Sequence, residues 1–311
     1  MEISSMATRK AFGKGLMALA NKYPNLVLLD ADLSKSTMSN EFSKNYPKRF
    51  FQMGIAEANM LGVASGLALS GYIPFACSFA CFITGRFDQI KMSIAYSNAA
   101  VRIVGTHAGI GIGEDGYSQQ GLEDIALMQV LPTMQVLQPA DDYETLSMME
   151  YLCSSNNPAY LRLTRQDLRR VHDENYKFRL GVFPKLRNYG DNAVIFATGG
   201  CLQHAIEACD ELNKQGIKTQ VYNASSIKPI DEQALYQAAT NSKLLFSIED
   251  HNIIGGLASA LAQKLCQIST NAKLIPLGIQ DTFGESGTPQ DLYKKYQLDT
   301  IGIIKSIKRF Y

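Results

Sequence analysis

The chain has 311 residues, 46% hydrophobic and 19% charged, a balance that excludes a disordered polypeptide and points to two domains of ordinary size. Thirty Lys and Arg against 29 Asp and Glu leave a net charge of +1, so charge gives no case for nucleic acid as a partner. The opening Met1-Glu2-Ile3-Ser4-Ser5 lacks the charged-then-apolar order of a signal peptide, and a cytoplasmic protein is expected. A helical period over 8–23 leads into a buried strand at 26–29. The uncharged stretch from Ala58 to Gly85 is long enough to cross a bilayer, but Gly62, Gly66 and the turn Ser70-Gly71-Tyr72-Ile73-Pro74 divide it. It reads as a helix and then a strand, with no membrane span.

Strands at 101–104 and 134–137 follow. Gln138-Pro139-Ala140-Asp141 breaks the chain, a helix runs to about Cys153, and a strand at 160–163 closes this series. From about 169 to 192 the period fades and charge rises. A second series then begins: strand 193–197, helix 201–215, strand 218–222, helix 231–239, strand 243–248, helix 255–268 and strand 273–277. Lys305 to Arg309 reads as a solvated terminal face. This alternation predicts an α/β protein of two three-layer domains with mostly parallel sheets: residues 1–170, a linker at 171–190, and residues 191–311.

Cys77, Cys81, Cys153, Cys201, Cys209 and Cys266 form no Cys-x-x-Cys pair and read as reduced core residues. His204, between two of them, reads as a helix histidine, because a zinc site needs about four converging ligands. Gly111-Ile112-Gly113-Glu114-Asp115-Gly116 matches G-x-G-x-x-G after a strand. A dinucleotide site would need a helix there, whereas Tyr117-Ser118-Gln119-Gln120 reads as loop and two acids would repel a pyrophosphate. Thr198-Gly199-Gly200 is either a backbone anion site or a tight structural turn. Glu57, at the mouth of the uncharged stretch, is costly to desolvate unless hydrogen-bonded. It is either a functional buried acid or a first-turn acid favoured by the helix dipole.

Gly54-Ile55-Ala56-Glu57, Phe79-Ala80-Cys81-Phe82 and Thr106-His107 through Asp115-Gly116, in that order, resemble the C-terminal half of the thiamine-diphosphate enzymes of the transketolase family. The resemblance covers nearly the whole chain and implies a pyrimidine-binding domain followed by a transketolase C-terminal domain. Glu57 is similar to the family's glutamate that hydrogen-bonds the cofactor's aminopyrimidine and governs its tautomer. Phe79 and Phe82 resemble the aromatic segment packed on that ring, although either would also serve as a core aromatic. Asp32, in Ala31-Asp32-Leu33, resembles a loop residue beside the cofactor, and is otherwise a strand-end turn residue.

By the same resemblance the catalytic set is Glu57, His107 and Asp115, with His107 assisting substrate binding and Asp115 accepting from a donor hydroxyl. Arg9, Ser36 and Arg165 resemble positions that hold the substrate's phosphate, a task suited to a planar guanidinium. Arg9 is otherwise a first-turn helix residue and Arg165 a surface ion-pair residue. Gln119 stands where typical relatives carry histidine near the donor's reacting end. It keeps hydrogen bonds and loses ionisation, which points toward a specialised sugar pathway.

The family's Gly-Asp-Gly…Asn string, which holds the diphosphate and its metal, does not occur in this sequence. The resemblance therefore implies a split enzyme: an N-terminal transketolase subunit holds Mg2+ or Ca2+, and the pair assembles as α2β2. The expected reaction moves a two-carbon ketol unit from a ketose, as its phosphate, to an aldose. The alternatives are a 1-deoxyxylulose-phosphate-synthase-like enzyme, a 2-oxo-acid dehydrogenase β subunit, and a non-catalytic structural or regulatory partner.

Overall fold

The computed structural model describes residues 5–311, so the reading of the extreme N-terminus lies outside the described residues. Seven strands form the first sheet, in the order Ser226–Lys228, Gln135–Leu137, Ala159–Arg162, Arg102–Thr106, Ile73–Phe79, Leu26–Asp30 and Phe50–Gln52. All neighbours are parallel except the first pair. Both faces are covered, which is why these strands read as unbroken apolar runs. Val27, Leu29, Ala76 and Ile103 pack with Met60, Leu61 and Ala64 of the helix Glu57–Leu69. Leu26, Leu28, Phe75 and Val104 face the helices Thr8–Lys22 and Asp142–Ser154 through Phe12, Leu16, Met148 and Leu152. The latter helix starts where the sequence breaks: the Asp141 side chain accepts from the Glu144 backbone N–H at 2.8 Å, a cap worth about 1 kcal/mol.

The uncharged stretch is a helix followed by the strand Ile73–Phe79, and no helix among the described residues is long and apolar enough to cross a membrane. The second sheet runs Lys273–Ile279, Leu244–Asn252, Ala193–Ala197, Thr219–Asn223 and Lys185–Asn188. Helices Leu202–Lys214 and Thr300–Phe310 cover one face, and Glu232–Asn241 and Leu257–Leu265 the other. In Thr300–Phe310, Ile303 and Ile307 are buried while Lys305, Lys308 and Arg309 stay in solvent.

Several features differ from the sequence reading. Residues 171–190 are not a free linker: Phe178 and Phe183 are buried, and Lys185–Asn188 pairs antiparallel with Thr219–Asn223. Ser226–Lys228 crosses back to the first sheet, so the second half of the chain supplies its edge strand. Cys77, Cys153, Cys201 and Cys209 are core residues, but Cys81 is half-buried and Cys266 is exposed. Cys266 caps the helix Leu257–Leu265 at its C-terminal end, beyond the face that packs on the sheet. His204 lies against the Tyr293 ring, 5.2 Å between centroids.

The two glycine-rich stretches are resolved by packing. At Gly199 (φ +53°) a Cβ would lie 1.9 Å from Gln138 Nε2, and at Gly200 2.3 Å from the Tyr293 hydroxyl oxygen. Side chains fill that turn, so it is structural. No helix begins at Gly116; a short 3-10 turn, Tyr117–Gln119, follows instead.

Candidate active site

The carboxyl ends of adjacent parallel strands are the usual ligand-binding edge of an α/β sheet, and the candidate residues collect there. Glu57 opens the helix Glu57–Leu69 and is 5% exposed. The Ser78 hydroxyl donates to Glu57 Oε1 at 3.3 Å, and Oε2 accepts from no group among the described residues. Phe79 follows Ser78 at the strand's end. Its ring stacks on Phe82 at 5.5 Å and 9°, and on His107 at 3.8 Å and 26°.

His107 follows the next strand, Arg102–Thr106, with φ +57°, an uncommon conformation for a non-glycine residue that costs on the order of 1 kcal/mol or more. The Thr106 hydroxyl donates to the Ser78 carbonyl at 3.3 Å and lies 2.9 Å from His107 Nδ1. Nδ1 therefore carries the hydrogen and donates to that hydroxyl. Nε2 is left as an acceptor, facing Arg9 Nη1 at 3.4 Å. Burial first, then the charges of Arg9 and Arg165, push His107 down to about 3. The imidazole is neutral.

Arg9 stands in the first turn of Thr8–Lys22 and donates from Nη1 to the Ser36 carbonyl at 2.5 Å; its Nε is buried with no partner among the described residues. Burial and the nearby Arg165 lower its pKa, so adding an anion here would relieve two crowded cations. Arg165 donates to the Ile112 carbonyl at 2.6 Å and reaches Asp115 Oδ2 at 3.4 Å. Asp115 is exposed and Gln119 half-buried. Asp32 is exposed at φ +64°, held by its backbone N–H donating to Gln52 Oε1 at 2.7 Å. Ser36 joins the cluster through its carbonyl. The side chains of Asp32 and Gln119 hydrogen-bond none of the other candidates.

Three positioning residues escaped the sequence reading. Ser78 and Thr106 tie Glu57 to His107 across neighbouring strands. Asp30, fully buried, accepts from the Leu33 backbone at 2.7 Å, from Thr37 at 2.7 Å and from Ser39 at 3.0 Å, and so shapes the loop that presents Asp32 and Ser36. The available signal was an acid closing an apolar strand, with the hydroxyl residues Thr37 and Ser39 seven and nine positions further on.

Residues 4–171 match the transketolase pyrimidine-binding domain and residues 182–303 the transketolase C-terminal domain. The chain belongs to the transketolase family. A protein of Methanocaldococcus jannaschii described as a transketolase C-terminal section is 41% identical over 302 residues, covering 96% of this chain and 94% of its own. An apulose-4-phosphate transketolase subunit of Phocaeicola vulgatus is 32% identical over 100% of this chain and 99% of its own. A solved split-gene transketolase, an inactive β4 tetramer, superimposes with a TM-score of 0.90 at 41% identity, covering 98% of each chain. Human transketolase is 31% identical over 97% of this chain but only 49% of its own length. This transketolase-family chain thus has the extent of a C-terminal section.

Proposed function

We propose that the chain is the C-terminal subunit of a split transketolase that moves a two-carbon ketol unit from a ketose phosphate to an aldose, with thiamine diphosphate bound against a partner subunit. The meeting of Glu57, Phe79 and His107 at one sheet edge carries this reading. A buried carboxylate with an unused oxygen fits a ring nitrogen of an aminopyrimidine, and Phe79 with Phe82 fits its plane. When bound, the cofactor supplies carbanion-stabilising chemistry. Glu57 would hold a ring nitrogen of the aminopyrimidine through its unused carboxylate oxygen and so would govern where that ring carries hydrogen. Phe79, braced by His107, keeps water from that contact.

Arg9, Ser36 and Arg165 hold the anionic end of the substrate. His107, neutral, accepts a hydrogen bond from a substrate hydroxyl at Nε2 and does not deliver a proton. Asp115 accepts from the donor, Gln119 contacts it without ionising, and Asp32 borders the cofactor. Among the described residues no group of three or more His, Cys, Asp or Glu could hold a metal. Mg2+ or Ca2+ with the diphosphate is assigned to an N-terminal transketolase subunit, in an α2β2 assembly.

Two observations on relatives support these assignments. The solved 41%-identical relative is inactive as a β4 tetramer. Two relatives act as subunits on sugars with an acidic group: apulose 4-phosphate, and the 6-deoxy-6-sulfo-D-fructose of a Clostridium sp. subunit 36% identical over 94% of this chain. Six free cysteines fit a reducing, cytoplasmic setting.

Assay of the chain reconstituted with its N-terminal partner tests the proposal. Ketol transfer from ketose phosphates supports it. Turnover of pyruvate instead would move the reading to the deoxyxylulose-phosphate-synthase or oxo-acid dehydrogenase type. Assembly without any turnover would leave a structural partner.

A further inference from the structure

We infer that the second half of the chain positions the substrate-facing loop 109–121, with Gln120 as the positioning residue. This rests on the donor-binding roles proposed for Asp115 and Gln119. The loop's two ends are tied by the Gly109 backbone N–H, which donates to the Gly121 carbonyl at 3.0 Å; between them the internal backbone bonds are short-range turns: Gly113 to Ile110, Gly116 to Gly113, Gln119 to Gly116 and Gln120 to Tyr117. Such turns shape a loop without anchoring it. The anchors come from elsewhere.

Gln120 is 1% exposed, and its Nε2 donates to the Glu285 carbonyl at 3.1 Å, 165 residues along the chain. Gly284 permits that approach, since a Cβ there would lie 1.7 Å from Gln120 Oε1. At Gly116 (φ +76°) a Cβ would lie 2.4 Å from Ser286 Oγ, and at Gly113 (φ +85°) 3.1 Å from Pro289 Cδ. At Gly109 (φ +75°) it would meet Asp250 Oδ2 at 2.1 Å. The Tyr117 ring tilts onto Phe283 at 4.5 Å, and the Asn252 backbone N–H donates to the Leu122 carbonyl at 2.9 Å.

The glycines whose spacing imitates a dinucleotide motif therefore serve a different end. Gly113 and Gly116, with Gly109 just before the motif, let loop 109–121 lie against residues 250 and 283–289 closely enough that no side chain fits between, while Gly111 makes room for Gln166 of the first half. Asp115 sits one residue before Gly116, and Gln119 one before Gln120, so both inherit the position of this contact. From the first half, Arg165 adds a bond to the Ile112 carbonyl at the front of the loop. Its rear, from 113 to 120, is held mainly by the second half, with Arg165 reaching Asp115 Oδ2 at 3.4 Å from the first.

Gln120→Met keeps the volume and removes the hydrogen bond; Gly284→Ala drives a methyl into the amide's place. Both are made in the full chain and reconstituted with the partner subunit. Losing one buried hydrogen bond corresponds to about a fivefold change, so amide hydrogen exchange at 113–120 should quicken by about fivefold. The KM for the donor should rise about fivefold, while kcat and the acceptor KM stay within about twofold. Unchanged exchange and donor KM in both variants would overturn the inference. So would losses of kcat, both KM values and thermal midpoint together, which mark general destabilisation. If the unmodified pair transfers no ketol unit, the functional reading fails, and the exchange comparison still decides whether the contact holds the loop.

Discussion

Arg162 and Asp250, 88 residues apart in sequence, form an ion pair at 2.7 Å with both side chains fully buried. Arg162 closes a strand of the first sheet, Asp250 lies on a strand of the second, and Asp124 takes the guanidinium's Nε at 2.8 Å. The remaining donor group reaches the carbonyls of Gly121 and Asp250 at 2.9 and 3.2 Å. Removing the arginine would strand two acids in the core. Arg162→Met is expected to cost about 3–5 kcal/mol, read as the shift in urea midpoint. Lys10→Ala, breaking the half-exposed pair with Asp167, should cost about 0–1 kcal/mol. Equal costs would contradict the assignment of Arg162 as the pin between the halves.

The neutral state of His107 sets a pH expectation. With a folded value of about 3 against 6.5 for the free side chain, His107 takes up a proton on unfolding between those limits. Its contribution to stability therefore falls as pH drops below 6.5. For activity, His107→Asn should lower kcat/KM for the donor by about tenfold or more while leaving the shape of the pH profile between about pH 5 and 8 unchanged. Disappearance of an ionisation near neutrality in the variant would show that His107 titrates during turnover.

His172 and Asp141 give the opposite dependence. The ring nitrogen Nδ1 lies 3.0 Å from Asp141 Oδ2, and both side chains are nearly or fully buried. Burial pulls the His172 pKa down, but the hydrogen bond to Asp141 and the charges of Glu144 and Asp141 outweigh it and raise the net value above 6.5. The stabilisation is complete below 6.5 and is lost as pH rises through the folded value. The urea midpoint of the native chain should decline over that window, and His172→Asn should flatten the decline. An equally steep decline in the variant would assign it to other groups.

Cysteine reactivity checks the packing. Cys266 is exposed while Cys77 and Cys201 are buried, with thiol pKa values that burial raises well above the ordinary range. A thiol reagent on the native chain should modify Cys266 first, by mass spectrometry, with the buried four reacting only after denaturation. Early labelling at Cys201 would contradict the packing of the second sheet.

The parallel strands were legible in the sequence because burial on both faces leaves runs such as Leu26-Val27-Leu28-Leu29 without a polar residue. Lys185–Asn188 was not, since an edge strand of Lys, Leu, Arg and Asn has neither an apolar run nor clean alternation. Ser226–Lys228 is three residues long and pairs across the halves, so no local pattern marks it. In the site, Glu57, Phe79 and His107 carried local strings that pointed to them. Ser78, Thr106 and Gln120 did not, because their roles arise from partners on other elements. Arg162 is the extreme case: its burial is intelligible only with Asp124 and Asp250 in place.

The acid at residue 57 offers the most direct measurement. Glu57→Gln nearly preserves shape and removes the charge, so the reconstituted pair should assemble normally by sedimentation. Ketol transfer from a ketose phosphate should fall by on the order of a hundredfold or more. Transfer within about threefold of the native pair, with assembly intact, would show that this carboxylate does not govern the cofactor's proton and would contradict the proposed active site.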